Sequence, residues 1–127
     1  MSHVLTTLYA EDEMDIRQVT ELALEDEGFE LISCSSGEQA LDLAKKTKPD
    51  LILLDIMMPG MDGPTTLKKL RELAHLSDTP VIFMTAKVQL SEVAEYKALG
   101  AIGVISKPFD PMQLADDIRN LYESRND

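Results

Sequence analysis

The sequence predicts an α/β fold: a doubly wound parallel sheet of five strands with helices on both faces. Two observations predict it. Short apolar runs alternate with longer amphipathic stretches, five times over, between residue 4 and about residue 124. The apolar runs are also continuous, as in "LILL" at 51–54, which marks strands buried on both sides. Together these describe five strand–helix units in one sheet, with no linker, low-complexity segment or second domain.

The elements follow in order. "VLTTLYA" (4–10) reads as the first strand. Residues 13–27 read as a helix with Ile16, Val19 and Ala23 on one face, closed by Gly28 just past its end. "FELISC" (29–34) is the second strand. Ser36 and Gln39 form a capping box that opens a helix running to about Lys46, with Lys45 and Lys46 at its negative end. "DLILLD" (50–55) is the third strand. The next helix starts near Pro64, which suits a first helical position, and carries a stripe of Leu67, Leu70 and Ala74. "PVIFMT" (80–85) is the fourth strand, and Leu90, Val93, Ala94 and Ala98 mark a helix ending at Gly100. "IGVIS" (102–106) is the fifth strand, followed by a last helix marked by Leu114, Ala115, Ile118, Leu121 and Tyr122.

Composition narrows the function. The 127 residues suffice for one domain with a proper core, and 44% apolar with 28% charged residues describes a folded globular chain. A net charge of -11 disfavours nucleic acid, which is gripped by clustered Lys and Arg, and equally an anionic membrane surface. Its plain reading is solubility. Cys34 is the sole cysteine, so no internal disulfide forms, which suits a reducing, cytoplasmic location. It sits in an apolar-rich stretch and reads as a small core residue. His3 and His75 are far apart, have no metal motif around them, and read as surface residues. "MSHVLTTLYA" has no basic n-region or apolar core, so it is not a signal peptide, and no apolar run reaches the length of a membrane span.

In an open α/β sheet, a site forms beyond the carboxyl ends of the strands, where strand order reverses. Those ends carry Glu11 and Asp12 after the first strand, Asp55 after the third, Thr85 after the fourth, and Lys107 with Pro108 after the fifth. Each alone has an ordinary reading. Asp12 and Asp55 could cap a helix or turn, Thr85 could cap the fourth helix, Lys107 could snorkel to solvent, and Glu11 could be a solvated loop charge. Jointly they form a chemically useful set. Carboxylates about 5 Å apart at an effective dielectric near 20 repel by roughly 3 kcal/mol per pair, so the cluster calls for a proton or a cation. Oxygen ligands alone favour a hard cation such as Mg²⁺. Asp55 would be ionised at neutral pH and would need no general base to attack phosphorus. The three phosphoryl oxygens would then be met by Mg²⁺ on Glu11 and Asp12, by the Lys107 ammonium and by the Thr85 hydroxyl.

With these residues on one edge, the sequence resembles the receiver domain of bacterial two-component response regulators. The likeness is carried by "AEDE" (10–13), "LLDIMMPGMDG" (53–63), "MTA" (84–86) and "SKPF" (106–109), and it spans about residues 4–124. It implies the flavodoxin-like strand order 2-1-3-4-5. It implies that Asp55 accepts a phosphoryl group from a phosphohistidine of a histidine kinase or histidine phosphotransfer protein. It implies Mg²⁺, with Mn²⁺ as a substitute, bound by Glu11, Asp12, Asp55 and the backbone carbonyl of Met57, and a cis bond between Lys107 and Pro108. On activation Thr85 would move toward the phosphoryl group and remodel the face of the fourth helix, fifth strand and fifth helix, where a downstream protein docks. The resemblance implies a phosphoacceptor with at most weak autophosphorylation and autophosphatase activity, not a conventional enzyme. It further implies a monomer or phosphorylation-dependent dimer, without direct nucleic-acid or membrane contact. One receiver domain would fill residues 1–127, with no output domain among them.

Four positions qualify that reading. Glu11 stands where aspartate is commoner in the family, one methylene longer, and metal binding is expected to survive. Val104 stands where many members carry a tyrosine or phenylalanine that swings inward, so the conformational signal is expected to be weaker or differently routed. Met57 and Lys87 occupy positions that influence phosphoryl loss. Met57 cannot orient an attacking water, which predicts slow self-dephosphorylation; Lys87 could act in either direction. Two other readings compete: a phosphorylation-independent pseudo-receiver serving as an interaction module, and a Mg²⁺-dependent phosphohydrolase, which would need a cap that five short units leave no room for.

Overall fold

The computed structural model describes residues 4–86 and 90–125. His3 and Lys87, singled out above, lie outside them, as does the side chain of Leu90. The elements are β1 (Leu5–Ala10), α1 (Met14–Leu24), β2 (Phe29–Cys34), α2 (Gly37–Ala44), β3 (Leu51–Asp55), α3 (Gly63–Arg71), a 3-10 turn (Ala74–Leu76), β4 (Val81–Thr85), α4 (Leu90–Ala98), β5 (Ala101–Ser106) and α5 (Leu114–Ser124). The five strands form one sheet in the order β2-β1-β3-β4-β5, and every pairing is parallel. Strand order therefore reverses between β1 and β3, as the resemblance implied.

The continuous apolar runs do what two-sided burial demands. In β3, Ile52 and Leu54 enter the core under α2, α3 and α4, while Leu51 and Leu53 enter the core under α1 and α5. All four are fully buried, and each such side chain contributes about 1.5–3 kcal/mol by leaving water. Cys34 is buried in the first of these cores, as its apolar setting suggested.

The helices depart from expectation at named places. The first helix stops at Leu24 instead of residue 27, because Glu25, Asp26 and Glu27 put three acids at its negative end. Asp26 takes a left-handed φ of 60° and Gly28 one of 87°, which complete the turn. Its fully buried residues are Thr20 and Leu24, while Ile16 and Ala23 are half-buried and Val19 is exposed. A polar residue can go inward there because the Thr20 hydroxyl accepts from Tyr9 Oη at 2.9 Å and donates to the Ile16 carbonyl at 2.9 Å. In α2, Ser36 Oγ accepts from the Gln39 amide at 3.1 Å, but Gln39 Oε1 reaches back to the Ser35 amide, one residue further than the capping box expects. The helix ends at Ala44, with Lys45 as its cap.

α3 ends at Arg71, so Ala74 is not part of its stripe; it opens the 3-10 turn and is exposed, and Leu76 turns inward instead. Arg71 holds that turn, donating through Nη1 to the carbonyls of Leu76 and Thr79. On α4, Ala94 and Ala98 are exposed, and Tyr96, with Leu99 just past the helix end, packs against the core in their place. His75 is exposed, as expected, although its Nε2 lies 2.8 Å from the Ala44 carbonyl at the end of α2. α5 buries Leu114, Ala115 and Ile118 as its pattern predicts.

Candidate functional site

Strand pairing assembles the site. Ala10 lies beside Leu54, so Glu11 and Asp55, the next residues on β1 and β3, leave the sheet side by side. Asp55 in turn lies beside Met84, and Thr85 beside Ser106, which brings Thr85 and Lys107 to the same edge.

Lys107 reaches across that edge. Its Nζ lies 3.0 Å from Glu11 Oε1 and 3.0 Å from Asp55 Oδ1. The side chain keeps only 12% exposure, so it points inward and does not snorkel. The Lys107–Pro108 bond is cis, as the resemblance implied. Asp12 completes the group: one carboxylate oxygen each from Glu11, Asp12 and Asp55 lie within 4.8 Å of one another. Glu11 and Asp55 are buried and Asp12 is half-buried.

The capping alternatives fail on geometry. The cap of α1 falls at Glu13, without a side-chain hydrogen bond, and the cap of α3 is Asp62, whose Oδ1 accepts from the Thr65 amide at 2.9 Å. Asp12 and Asp55 do neither job. Whether Thr85 caps α4 lies outside the described residues, because residues 87–89 intervene. Thr85 is buried, and its carbonyl accepts from the Lys107 amide at 2.8 Å. The Met57 side chain is 68% exposed, two residues beyond Asp55, between buried Ile56 and Met58.

The electrostatics follow from burial. Burial pushes the Glu11 carboxyl up to about 7, and the nearby Asp55 adds to the push. The hydrogen bonds from Lys107 and from the Glu13 amide pull the other way and are outweighed. For Lys107, burial alone would lower the pKa, but the two carboxylates outweigh it and hold the ammonium above its ordinary range. The lysine is therefore charged at neutral pH, while Glu11 sits close to its midpoint.

Three supporting residues escaped the sequence reading. Gly63 lets α3 begin against the end of β3: a Cβ there would lie 2.6 Å from the Asp55 carbonyl oxygen and 2.9 Å from Ile56 Cα. The "DGP" run at 62–64 carried that signal, as a cap followed by a residue without a side chain. Arg17 donates to the Glu11 carbonyl at 2.7 Å and fixes the loop that presents both acids. Tyr9 anchors α1 below the site through Thr20. Nothing in the local pattern announces either contact.

The donor set is oxygen-only, and opposite ligands of Mg²⁺ stand about 4 Å apart, so three oxygens within 4.8 Å fit a small hard cation. The arrangement can do two things: hold such a cation, and present one carboxylate beside an ammonium to an electrophile.

Comparison with known proteins shows the family and the fold. The family model for the response regulator receiver domain matches residues 7–119. Sporulation initiation phosphotransferase F of Bacillus subtilis is 37% identical over 112 residues, covering 88% of this chain and 89% of that protein. Probable transcriptional regulator ycf29 of Porphyra purpurea is 44% identical over 96 residues, covering 76% of this chain and 46% of that protein, so the chain spans about half the length of that relative. Among solved structures, the chemotaxis protein CheY4 of Vibrio cholerae superposes with a TM-score of 0.87 at 31% identity, over 93% of this chain and 98% of that one.

Proposed function

The chain belongs to the response regulator receiver domain family, and from that premise we propose that Asp55 is the phosphoacceptor of a phosphorelay. Receiver domains are signalling domains that bind Mg²⁺ at an acidic pocket and work with a sensor kinase or phosphotransfer partner; they are not conventional enzymes. The phosphoryl group comes from a phosphohistidine of that partner: an Asp55 oxygen forms the new bond to phosphorus, the P–N bond breaks, and its electron pair returns to the imidazole. Lys107 holds one phosphoryl oxygen by charge, and the Thr85 hydroxyl donates to another. Mg²⁺, or Mn²⁺ in its place, held by Glu11, Asp12, Asp55 and the Met57 carbonyl, would supply positive charge against the remaining oxygen.

The observation that supports this reading is the Lys107 ammonium 3.0 Å from both Asp55 and Glu11, at an edge where a bare carboxylate cluster would repel itself. Thr85 then biases the face of α4, β5 and α5, where a downstream protein docks. The reading includes one receiver unit over residues 4–124, at most weak autophosphorylation and autophosphatase activity, a cytoplasmic setting, and a monomer or phosphorylation-dependent dimer. Among the described residues, no helix is long and apolar enough to cross a membrane.

The test is intact mass after incubation with acetyl phosphate and Mg²⁺. One added phosphoryl group is expected, lost with Asp55→Asn or without metal. An unlabelled protein that also fails to bind Mg²⁺ and beryllofluoride would leave the interaction module as the better reading.

A further inference from the structure

α4 carries one ring, and that ring sits where β5 has none. Six aromatic residues occur in the chain, and only Phe83 and Tyr96 belong to the core under α2, α3 and α4. Their centroids are 5.2 Å apart and their planes meet at 62°, an edge-to-face contact between β4 and α4. Val104 of β5 is the register partner of Phe83 and packs on the same core, so Phe83 has an aliphatic neighbour within the sheet and an aromatic one above it. Thr85 lies two residues beyond Phe83 and, by the period of two along a strand, on the same face of β4. Glu92 and Glu95 of its own helix and Asp62, the cap of α3, lie around Tyr96. Burial first, and then these acids, raise its pKa.

We propose that Tyr96, through its contact with Phe83, is the positioning residue by which α4 reads the state of the carboxylate edge, in place of an aromatic side chain on β5. The proposal rests on the reading of Asp55 as phosphoacceptor. A displacement of Thr85 carries the end of β4 with it. Phe83 is fully buried and cannot yield, so the edge-to-face contact must rearrange or α4 must follow. Val104 has no ring to take up the change.

The experiment uses the whole chain with Mg²⁺ and beryllofluoride as the phosphoryl analogue. Hydrogen exchange of residues 90–98 and ring resonances of the three tyrosines are followed before and after addition. The Tyr96 ring signal is expected to shift in the unsubstituted protein, and its failure to move overturns the proposal without any variant. Tyr96→Leu is expected to bind beryllofluoride still, while the α4 exchange response falls by about two- to tenfold, the worth of one aromatic pair. Tyr96→Phe keeps the ring and is expected to restore that response. An α4 response in Tyr96→Leu equal to that of the unsubstituted chain overturns the proposal, as does a Phe variant no better than Leu. A chain that binds no beryllofluoride at all sinks instead the reading of Asp55.

Discussion

Two aspartates bracket the same strand and live in opposite circumstances. Asp50 precedes β3 and accepts from the Thr6 amide through Oδ2 at 3.0 Å, while its own amide donates to the Thr6 carbonyl at 2.7 Å. Asp55 ends β3 beside an ammonium and two further carboxylates. The first is a carboxylate fastening β3 to the start of β1. The second is held among charges that cannot all be satisfied by neutral partners. The difference teaches that the end of the strand, not the residue type, decides the chemistry. At the amino end a carboxylate finds backbone donors, and at the carboxyl end it finds whatever the neighbouring strands deliver.

Removing the ammonium should widen that contrast most. Lys107→Met leaves Glu11 and Asp55 buried without a cation. We expect a loss of about 3 kcal/mol or more in urea unfolding at pH 8 with chelator. The loss should shrink at pH 5, where Glu11 can take a proton, and recover in part with Mg²⁺. An equal loss at both pH values would mean that Lys107 acts by packing alone.

The next effect is the pH dependence of Glu11 itself. Its folded pKa of about 7 lies above the ordinary carboxylate value of 4.5. Its contribution to stability is then complete below about 4.5 and is lost as pH rises through about 7. Metal-free protein should lose up to about 3 kcal/mol across that window. Glu11→Gln should flatten the curve, and saturating Mg²⁺ should flatten it from the other side. A curve unchanged by Glu11→Gln would assign the slope to other groups.

The smallest effect belongs to the other aspartate. Asp50→Ala should cost about 1 kcal/mol by removing the acceptor of the Thr6 amide, with phosphoryl labelling by acetyl phosphate unchanged. A labelling defect in this variant would erase the distinction between the two ends.

Much of this was legible before any coordinates. "LILL" reads as a strand with core on both sides, and five strand–helix units put Glu11, Asp12, Asp55, Thr85 and Lys107 at one edge. What escaped were contacts made by polar atoms and by absent ones. Thr20 turns inward because a tyrosine hydroxyl awaits it, and Tyr96 displaces the expected alanine stripe of α4 by packing on a ring of the preceding strand. Periodicity scores both as polar or ambiguous. Gly63 matters for the Cβ it lacks, and only the approach of α3 to the Asp55 carbonyl reveals that.

The Lys107–Glu11 contact joins residues 96 positions apart, and Lys107–Asp55 joins residues 52 apart. A chain emerging from the ribosome holds Glu11, Asp12 and Asp55 long before it holds Lys107. Until β5 has been made and docked, the acidic cluster lacks the Lys107 ammonium that offsets its repulsion. Closure of the first unit on the last thus completes the charge balance of this edge, and only a finished chain has it.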